Sequence, residues 1–216
     1  MELNKYIEHT LLKQNASREE VRKLLDEAIE YNFFGVCVNP CNVKFAHEYL
    51  KNTDIKVVTV IGFPLGQTTM ESKILETVDA VKNGADEIDM VINGGKLKDD
   101  DDDYIVEEIS KIKAACQDKN LKVILETDLL TREEIKKACK LCVKGGANFV
   151  KTSTGFVKNG IGAKAEDVKL MYDEVKDAGL QVKASGGIRD RETALKMIEA
   201  GAARLGTSSG VRIVES

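Results

Sequence analysis

The chain has 216 residues, of which 43% are apolar, and a formal charge of -4 from 32 basic and 36 acidic side chains. This size is enough for one large domain, and the charge balance gives little support for nucleic-acid binding. Because no apolar run reaches about 18 residues, no membrane span is expected.

The beginning of the chain and its cysteines indicate a compartment. The first residues lack a basic segment followed by an apolar one, so no signal peptide is expected. The five cysteines fit free thiols in a reducing environment better than a disulfide framework. Together these features predict a cytoplasmic protein.

Short β-branched runs alternate with longer segments of helical period, which is the pattern of βα units around a parallel sheet. Strands are predicted at residues 34–38, 57–61, 87–92, 122–126, 149–153, 181–185 and 204–206. Helices are predicted at the N-terminus, at residues 17–31, 69–82, 104–116, 131–143, 165–177 and 191–199, and in short segments from Pro40 and Ser208. Capping boxes at residues 17–20 and 131–134 mark two of the helix starts, and glycines at 84, 145, 179 and 201 are expected to cap helix ends.

The number of strands decides between two α/β architectures. Seven strands fit an open doubly wound sheet, whereas a closed barrel needs an eighth, for which residues 7–11 are the candidate. No shift in composition suggests a linker, so residues 1–216 are predicted to form a single domain. The unbroken βα rhythm favours a (β/α)8 TIM barrel with an extra N-terminal helix, whose chemistry would lie at the C-terminal ends of the strands.

Residues 149–156 place Lys151 in a β-branched apolar run that is followed at once by hydroxyl groups and a glycine. Taken alone, such a lysine is more often one that extends to solvent. A lysine inside a barrel must instead have its charge paired or its pKa depressed. A neutral amine of this kind forms Schiff bases with carbonyl substrates.

Two other strands direct charged residues to the same end of the barrel. Asp89 lies on the face of its strand opposite to the apolar residues, so it should point inward, and Lys183 lies on the strand after that of Lys151. A buried ion pair or triad is the alternative, although such groups rarely add net stability. Two lysines and one aspartate leave an excess positive charge, which a structural network would be expected to avoid. The pattern therefore favours a catalytic cluster, in which one lysine can lower the pKa of the other.

The last two βα turns, at residues 186–187 and 206–210, are rich in glycine and small hydroxyl residues. Small residues let backbone N–H groups approach an anion, and this corner of a barrel is a frequent phosphate site. The glycines alone are equally explained by tight turns. Their place beside the lysines predicts a phosphorylated small-molecule substrate.

Several other sequence patterns resemble functional sites but do not predict one. Glycine spacings at residues 160–165 and 201–208 resemble nucleotide-binding loops, but the first is too far from its strand and the second has Thr207 in place of lysine. No nucleotide cofactor is therefore expected, and residues 160–165 are interpreted as a flexible active-site loop. The acidic run at residues 99–103 is expected to solvate a loop and to favour the start of the next helix.

Cysteine and histidine residues give no clear metal site. Cys139 and Cys142 have the spacing of metal ligands but no second pair, so no metal is expected. His9 is placed near the site by the first candidate strand, whereas His47 is expected at the surface. Cys37 lies on a strand and is a candidate to face the pocket, with a reactivity that depends on its pKa.

Taken in order, these segments resemble the deoxyribose-phosphate aldolases, a family of class I aldolases. The motifs cover nearly the whole chain and read IEHTLLK from residue 7, VNP from 38, VIGFPLG from 60, GADEIDMVIN from 84, FVKTSTGF from 149, GGIR from 186 and GTSS from 206. The resemblance implies Lys151 as the Schiff-base lysine, Lys183 as the lysine that perturbs it and Asp89 as the proton-transfer group. It places the substrate phosphate against Gly155, Gly186, Gly187, Ser208 and Ser209.

The same resemblance implies reversible cleavage of 2-deoxy-D-ribose 5-phosphate to acetaldehyde and D-glyceraldehyde 3-phosphate in deoxyribonucleotide catabolism, without a metal or cofactor. It implies a possible homo-oligomer (dimer or tetramer), with no nucleic-acid or membrane partner. Two departures are visible: Glu8 stands where the family usually has aspartate, so no catalytic role is assigned to it, and the sequence ends at Ser216 without the tyrosine-ending tail of some members. The alternatives are another Schiff-base sugar-phosphate aldolase, a transaldolase-like enzyme, and a non-catalytic sugar-phosphate-binding barrel.

Overall fold

Eight parallel strands pair in sequence order, and the last pairs with the first, so the sheet closes into a barrel. The computed structural model describes residues 2–216, and Met1 lies outside the described part. The strands are β1 Ile7–Leu11, β2 Gly35–Val38, β3 Lys56–Ile61, β4 Glu87–Val91, β5 Asn120–Ile124, β6 Phe149–Lys151, β7 Gln181–Ser185 and β8 Ala202–Thr207. The helices are α1 Arg18–Glu30, α2 Val43–Leu50, α3 Met70–Lys82, α4 Gly94–Lys98, α5 Asp102–Ala115, α6 Arg132–Lys144, α7 Ala165–Val175, α8 Arg191–Glu199 and α9 Gly210–Glu215. The 3-10 helices are Leu3–Tyr6, Pro40–Asn42, Thr127–Leu129 and Lys176–Ala178.

The (β/α)8 prediction is confirmed, and residues 7–11 supply the eighth strand. The extra N-terminal helix is only a 3-10 turn of four residues, Leu3–Tyr6. Helix α4 was missed, because it is five residues long and begins with two glycines, which are poor helix formers. Helix α5 begins two residues earlier than expected, since the Asp101 side chain accepts a hydrogen bond from Tyr104 N and caps it. None of the helices within residues 2–216 is both long enough and apolar enough to span a membrane.

Local signals at helix ends were mostly reliable. Both capping boxes form as predicted, at the starts of α1 and α6. Three of the four helix-end glycines have the positive φ expected of a left-handed cap. Gly145 is the exception: its φ is -76°, and the next residue, Gly146, adopts the left-handed conformation instead.

The sheet separates a large apolar core from a polar interior. The main core lies between the barrel and its helices, and it takes the outward residues of the strands, such as Ile88 and Met90 of β4. Inside the barrel, a small apolar cluster contains Cys37, Val58 and Val60. Asp89 lies on the inward face, as strand alternation predicted, and its Cα is in register with that of Lys122 on β5. Charged residues therefore fill much of the interior beside the apolar cluster.

A second buried ion pair lies outside the barrel, between α3 and α5. Lys73 Nζ donates to Glu108 Oε1 at 2.8 Å and to the carbonyl oxygen of Val91 at 2.9 Å, at the end of β4. Both side chains are fully buried. Desolvation lowers the pKa of Lys73 and raises that of Glu108, so burial opposes both charges. The pair holds the end of β4 in place and is not expected to add net stability.

Replacement of Lys73 by methionine is expected to lower the free energy of unfolding by about 3–5 kcal/mol, because Glu108 is left buried without its partner. The double variant Lys73→Met/Glu108→Leu should recover most of this loss, since no isolated charge then remains. Urea denaturation of the two variants and the parent chain measures the difference. A single variant as stable as the parent would contradict the prediction.

Candidate active site

Three lysines meet one carboxylate inside the barrel, and Lys151 is the last residue of its strand. Lys122 Nζ lies 2.9 Å from Asp89 Oδ1, and Lys151 Nζ and Lys183 Nζ lie 2.8 Å and 2.6 Å from Asp89 Oδ2. Lys122 and Lys183 are fully buried, whereas Lys151 is 3% exposed and lines the adjoining cavity. The structure thus brings together the three residues that the sequence selected and leaves Lys151 as the lysine of the cluster that reaches the cavity.

Two further carboxylates balance the charge of this cluster. Glu8 on β1 contacts Lys183 and lies 3.6 Å from Lys122, and Glu87 on β4 lies 2.5 Å from Lys122. The expected excess of positive charge is therefore wrong, because three lysine side chains face three carboxylates. Strand alternation could have found Glu87, which is two residues before Asp89 and shares its face, and Lys122, which interrupts an apolar strand.

The electrostatics of the cluster fix two protonation states. Desolvation alone would raise the pKa of Asp89, but the neighbouring lysines lower it well below its usual range. Desolvation alone would lower the pKa of Lys183, but Asp89 and Glu8 raise it above its usual value. Lys183 therefore keeps its proton and Asp89 stays ionised at neutral pH. Because Lys151 and Lys183 contact the same Asp89 oxygen, the positive charge of Lys183 lies close to the Lys151 amine.

A cavity of about 520 Å³ opens directly above Lys151. Its wall is formed by residues 10–15, 151, 154–156, 185–189 and 206–208. Gly186 and Gly187 have φ values of 85° and 75°, which favour glycine, and a Cβ on Gly187 would lie 2.5 Å from the carbonyl oxygen of Ile161. Arg189 and Lys13 also lie in this wall and bring positive charge to it. The cavity thus has an amine at its base and a glycine-rich, cationic side that suits an anion.

Four of the five residues expected at the phosphate line this cavity, namely Gly155, Gly186, Gly187 and Ser208. Ser209 instead lines a second, open cavity with His9 and Arg212, and Ser208 lines both cavities. The Ser209 backbone N–H donates to Thr207 Oγ1 at 2.9 Å, which turns the chain away from the site before α9.

His9 and Cys37 do not belong to the catalytic cluster. Because Glu8 points inward, its neighbour on β1 points outward, and His9 Nε2 lies 2.7 Å from Glu27 Oε2 on α1. The expectation that His9 lies near the site is therefore wrong. Cys37 does face the barrel interior, but it is fully buried and desolvation raises the pKa of its thiol, so it stays protonated at neutral pH.

The other sequence patterns form structural contacts within the barrel's loops and helices. In the loop of residues 160–165, Gly162 N donates to Asp128 Oδ2 at 2.7 Å and Ala163 N donates to the carbonyl oxygen of Gly186 at 3.0 Å, so this loop packs against the anion-binding turn. The acidic run caps α5 and pairs with Lys137 on α6. His47 is exposed, as expected.

Neither cysteine of the C-x-x-C pair in α6 is part of a metal cluster in residues 2–216, where no group of three or more potential His, Cys, Asp or Glu ligands occurs. Cys139 and Cys142 are both buried, and desolvation raises the pKa of each thiol. Their spacing therefore reflects helical packing.

Comparison with known proteins identifies the family. The model of the DeoC/LacD family aldolases matches residues 4–215, which is nearly the whole chain. The chain belongs to this family. A barrel enzyme is expected to carry its reactive groups at the C-terminal ends of its strands, and Lys151 is the last residue of β6.

Similar proteins agree with this family over nearly the whole of this chain. A Finegoldia magna protein named deoxyribose-phosphate aldolase is 57% identical over 215 residues, covering 100% of both chains. A Clostridium botulinum protein of the same name is 56% identical over 216 residues, again with 100% of both chains covered. Among solved structures, a putative deoxyribose-phosphate aldolase from Coccidioides immitis has a TM-score of 0.96 at 43% identity, covering 99% of this chain and 85% of that one. The tetrameric deoxyribose phosphate aldolase of Aeropyrum pernix has a TM-score of 0.90 at 33% identity, covering 99% and 90%.

Proposed function

We propose that this DeoC/LacD aldolase reversibly cleaves 2-deoxy-D-ribose 5-phosphate to acetaldehyde and D-glyceraldehyde 3-phosphate through a Schiff base on Lys151. The observation that carries the proposal is the position of Lys151, whose amine is held by Asp89 beside Lys183 at the base of the cavity. The names of the full-length relatives support the choice of substrate.

The first step is the attack of the Lys151 amine on the aldehyde carbon of the open-chain sugar. It forms a carbinolamine, which loses water to give an iminium on Lys151. Lys183 keeps its proton and lies 2.6 Å from the Asp89 oxygen that Lys151 also contacts, so it helps to hold the Asp89 carboxylate beside the reacting amine.

The second step breaks the bond between the second and third carbons of the sugar. Its electron pair moves into the iminium and leaves an enamine on Lys151, while the hydroxyl group on the third carbon loses its proton and becomes the aldehyde of D-glyceraldehyde 3-phosphate. Ionised Asp89 accepts that proton through a water molecule, and Lys183 relays protons. The enamine then takes up a proton, and hydrolysis releases acetaldehyde and the free amine.

The phosphate of the substrate lies against the glycine-rich wall in this proposal. Gly155, Gly186, Gly187 and Ser208 line the cavity at that side, and Arg189 adds positive charge. Backbone N–H groups at such turns bind anions without a large side chain. Ser209, which was expected beside them, does not line this cavity, and its backbone N–H donates to Thr207 Oγ1.

The setting of the enzyme is also proposed. Residues 1–216 act as a single barrel domain in the cytoplasm, in deoxyribonucleotide catabolism, consistent with the free cysteines. The description of the Aeropyrum pernix relative as tetrameric supports a homo-oligomer. Sedimentation of the purified chain measures its assembly state.

Trapping with borohydride tests the proposed function. Incubation with 2-deoxy-D-ribose 5-phosphate and sodium borohydride should reduce the iminium to a stable adduct, and peptide mapping should find it on Lys151. An adduct on Lys183 would reverse the roles of the two lysines. Failure to label any lysine, together with no release of acetaldehyde, would contradict the aldolase mechanism.

Replacement of Ser208 by alanine should raise KM for the phosphorylated sugar about five- to tenfold, because a hydrogen bond to a charged group contributes roughly 1.5–3 kcal/mol, part of which solvent recovers. Ser209→Ala is the matched control and should leave KM within about twofold, since its side chain lies outside the cavity wall. Steady-state kinetics with both variants measures the difference. Equal effects of the two substitutions would place the phosphate elsewhere.

A further inference from the structure

Glu126, directly after β5, has an unusual backbone and a buried carboxylate. Its φ and ψ are 61° and 62°, a left-handed conformation that non-glycine residues rarely adopt, and the residue is 8% exposed. Such a conformation costs on the order of 1–3 kcal/mol and persists only where surrounding contacts require it. In this structure the contacts come from Thr154, in the segment after β6.

Both carboxylate oxygens of Glu126 bind one residue. Thr154 N donates to Oε1 at 3.0 Å, and the Thr154 hydroxyl donates to Oε2. The Thr154 hydroxyl oxygen, Oγ1, also accepts a hydrogen bond from Phe156 N at 3.0 Å, which closes the turn of residues 154–156. Burial raises the pKa of Glu126, and the hydrogen bonds from Thr154 oppose this only in part. The carboxyl group therefore fixes the first residue of the turn directly, and it holds Phe156 only through the Thr154 hydroxyl.

This turn is the wall between two cavities. On one side is the cavity of about 520 Å³ above Lys151, which Gly155 lines with a φ of 83°. On the other side is an apolar cavity of about 380 Å³, lined by Leu65, Leu125 and Leu129 among others. Thr154 and Phe156 line both cavities. The position of the turn therefore decides where the anion-binding wall ends and the apolar surface begins.

We propose that Glu126 is a positioning residue that holds the 154–156 turn, aims Gly155 at the substrate phosphate, and so sets the preference for a phosphorylated over an unphosphorylated sugar. The inference rests on the proposed function. In the described part of the chain, the side-chain hydrogen bonds of Glu126 go to Thr154 and not to the Asp89 cluster. Loss of the contact should therefore affect phosphate binding and leave the Schiff-base chemistry intact.

Kinetics with two sugars separate this role from a general structural one. Glu126→Ala removes both hydrogen bonds of the contact, whereas Thr154→Val removes the one from the hydroxyl and keeps the backbone N–H donor. The second substitution is nearly isosteric, so its fold should survive if the first is unstable. Each should raise KM for 2-deoxy-D-ribose 5-phosphate about tenfold, or about 1.4 kcal/mol, with kcat within about twofold. For 2-deoxy-D-ribose, kcat/KM should stay within about twofold, because that sugar has no phosphate to position. Glu133→Ala, which removes an exposed carboxylate on α6, is the control and should change neither.

The double variant Glu126→Ala/Thr154→Val should be no worse than the more affected single variant, because both act on one contact. Inorganic phosphate binding, measured by calorimetry, should weaken about tenfold in each variant, consistent with the same 1.4 kcal/mol. Equal losses on both sugars, unchanged kinetics, or unchanged phosphate binding would each overturn the inference. If the parent chain fails to cleave the phosphorylated sugar, the proposed function fails, whereas weaker phosphate binding in the variants would still support the role of Glu126.

Discussion

Replacement of Lys151 by glutamine is expected to lower kcat roughly 10⁴-fold or more, the scale on which enzymes lose activity when a covalent nucleophile is removed. Glutamine is close in length and its amide can still donate to Asp89, so the cluster should remain folded. It has no amine, however, and cannot form an iminium. Coupled measurement of acetaldehyde release gives the rate, and mass spectrometry after borohydride reduction should find no adduct.

Lys176→Gln is the matched control, because this lysine pairs with Asp173 at the surface, away from the cavity. It should keep the parent rate and the parent adduct. Activity of Lys151→Gln within tenfold of the parent, or an adduct formed elsewhere with full activity, would contradict the assignment of the nucleophile. If the protein were a non-catalytic sugar-phosphate-binding barrel, the parent chain would show no turnover. Lys151→Gln and the parent would then show the same absence of acetaldehyde release.

Asp89→Asn is expected to reduce both activity and stability. Loss of the proton acceptor should lower kcat by about 10²–10⁴-fold, the range for a positioned acid or base. Loss of one of three carboxylates leaves three buried lysines opposite Glu8 and Glu87 alone, which should lower the free energy of unfolding by about 3–5 kcal/mol at neutral pH. Steady-state kinetics and urea denaturation measure the two effects separately.

The stability difference between Asp89→Asn and the parent should depend on pH with a definite sign. The lysines lower the pKa of Asp89 in the folded state well below 3.8, the usual value that applies when the chain unfolds. As the pH falls, the unfolded chain therefore binds the Asp89 proton before the folded chain does. The contribution of Asp89 to the free energy of unfolding is fully present above about pH 4 and is lost progressively as the pH falls below that value. Urea midpoints of the two proteins should differ most at neutral pH and approach each other in acid. A difference that grows in acid would contradict the ionised state of Asp89.

Glu8, a departure from the family pattern, is part of the buried lysine cluster. It stands where aspartate is usual, and no catalytic role was expected for it. In the barrel it contacts Lys183 and approaches Lys122 to 3.6 Å, while its Oε1 atom has no hydrogen-bond partner within residues 2–216. The longer side chain thus reaches two lysines that lie on different strands, and it helps to keep Lys183 protonated.

Much of the fold followed from local patterns in the sequence. The alternation of short strands with amphipathic helices is a property of neighbouring residues, and so are the two capping boxes; the sequence therefore predicted the βα units and most of their ends. Strand alternation also placed Asp89 inside the barrel, since residues two apart share a face. The resemblance of ordered motifs added the identities of Lys151 and Lys183.

Other features were decided only when the barrel closed. Lys183 contacts Asp89, which lies 94 residues earlier in the sequence, and Glu8, which lies 175 residues earlier. These contacts therefore depend on the register of every strand between them. Closure brought Lys122, Glu8 and Glu87 into the cluster and balanced its charge. The tertiary packing also placed His9 against Glu27 on α1 and left Ser209 outside the lining of the cavity above Lys151. Side-chain charge states, and the choice of the lysine that reaches substrate, depend on desolvation and on the charges of distant neighbours. The sequence by itself determined which residues face the interior; the tertiary structure decided which of them touch, because only a closed barrel fixes those distances.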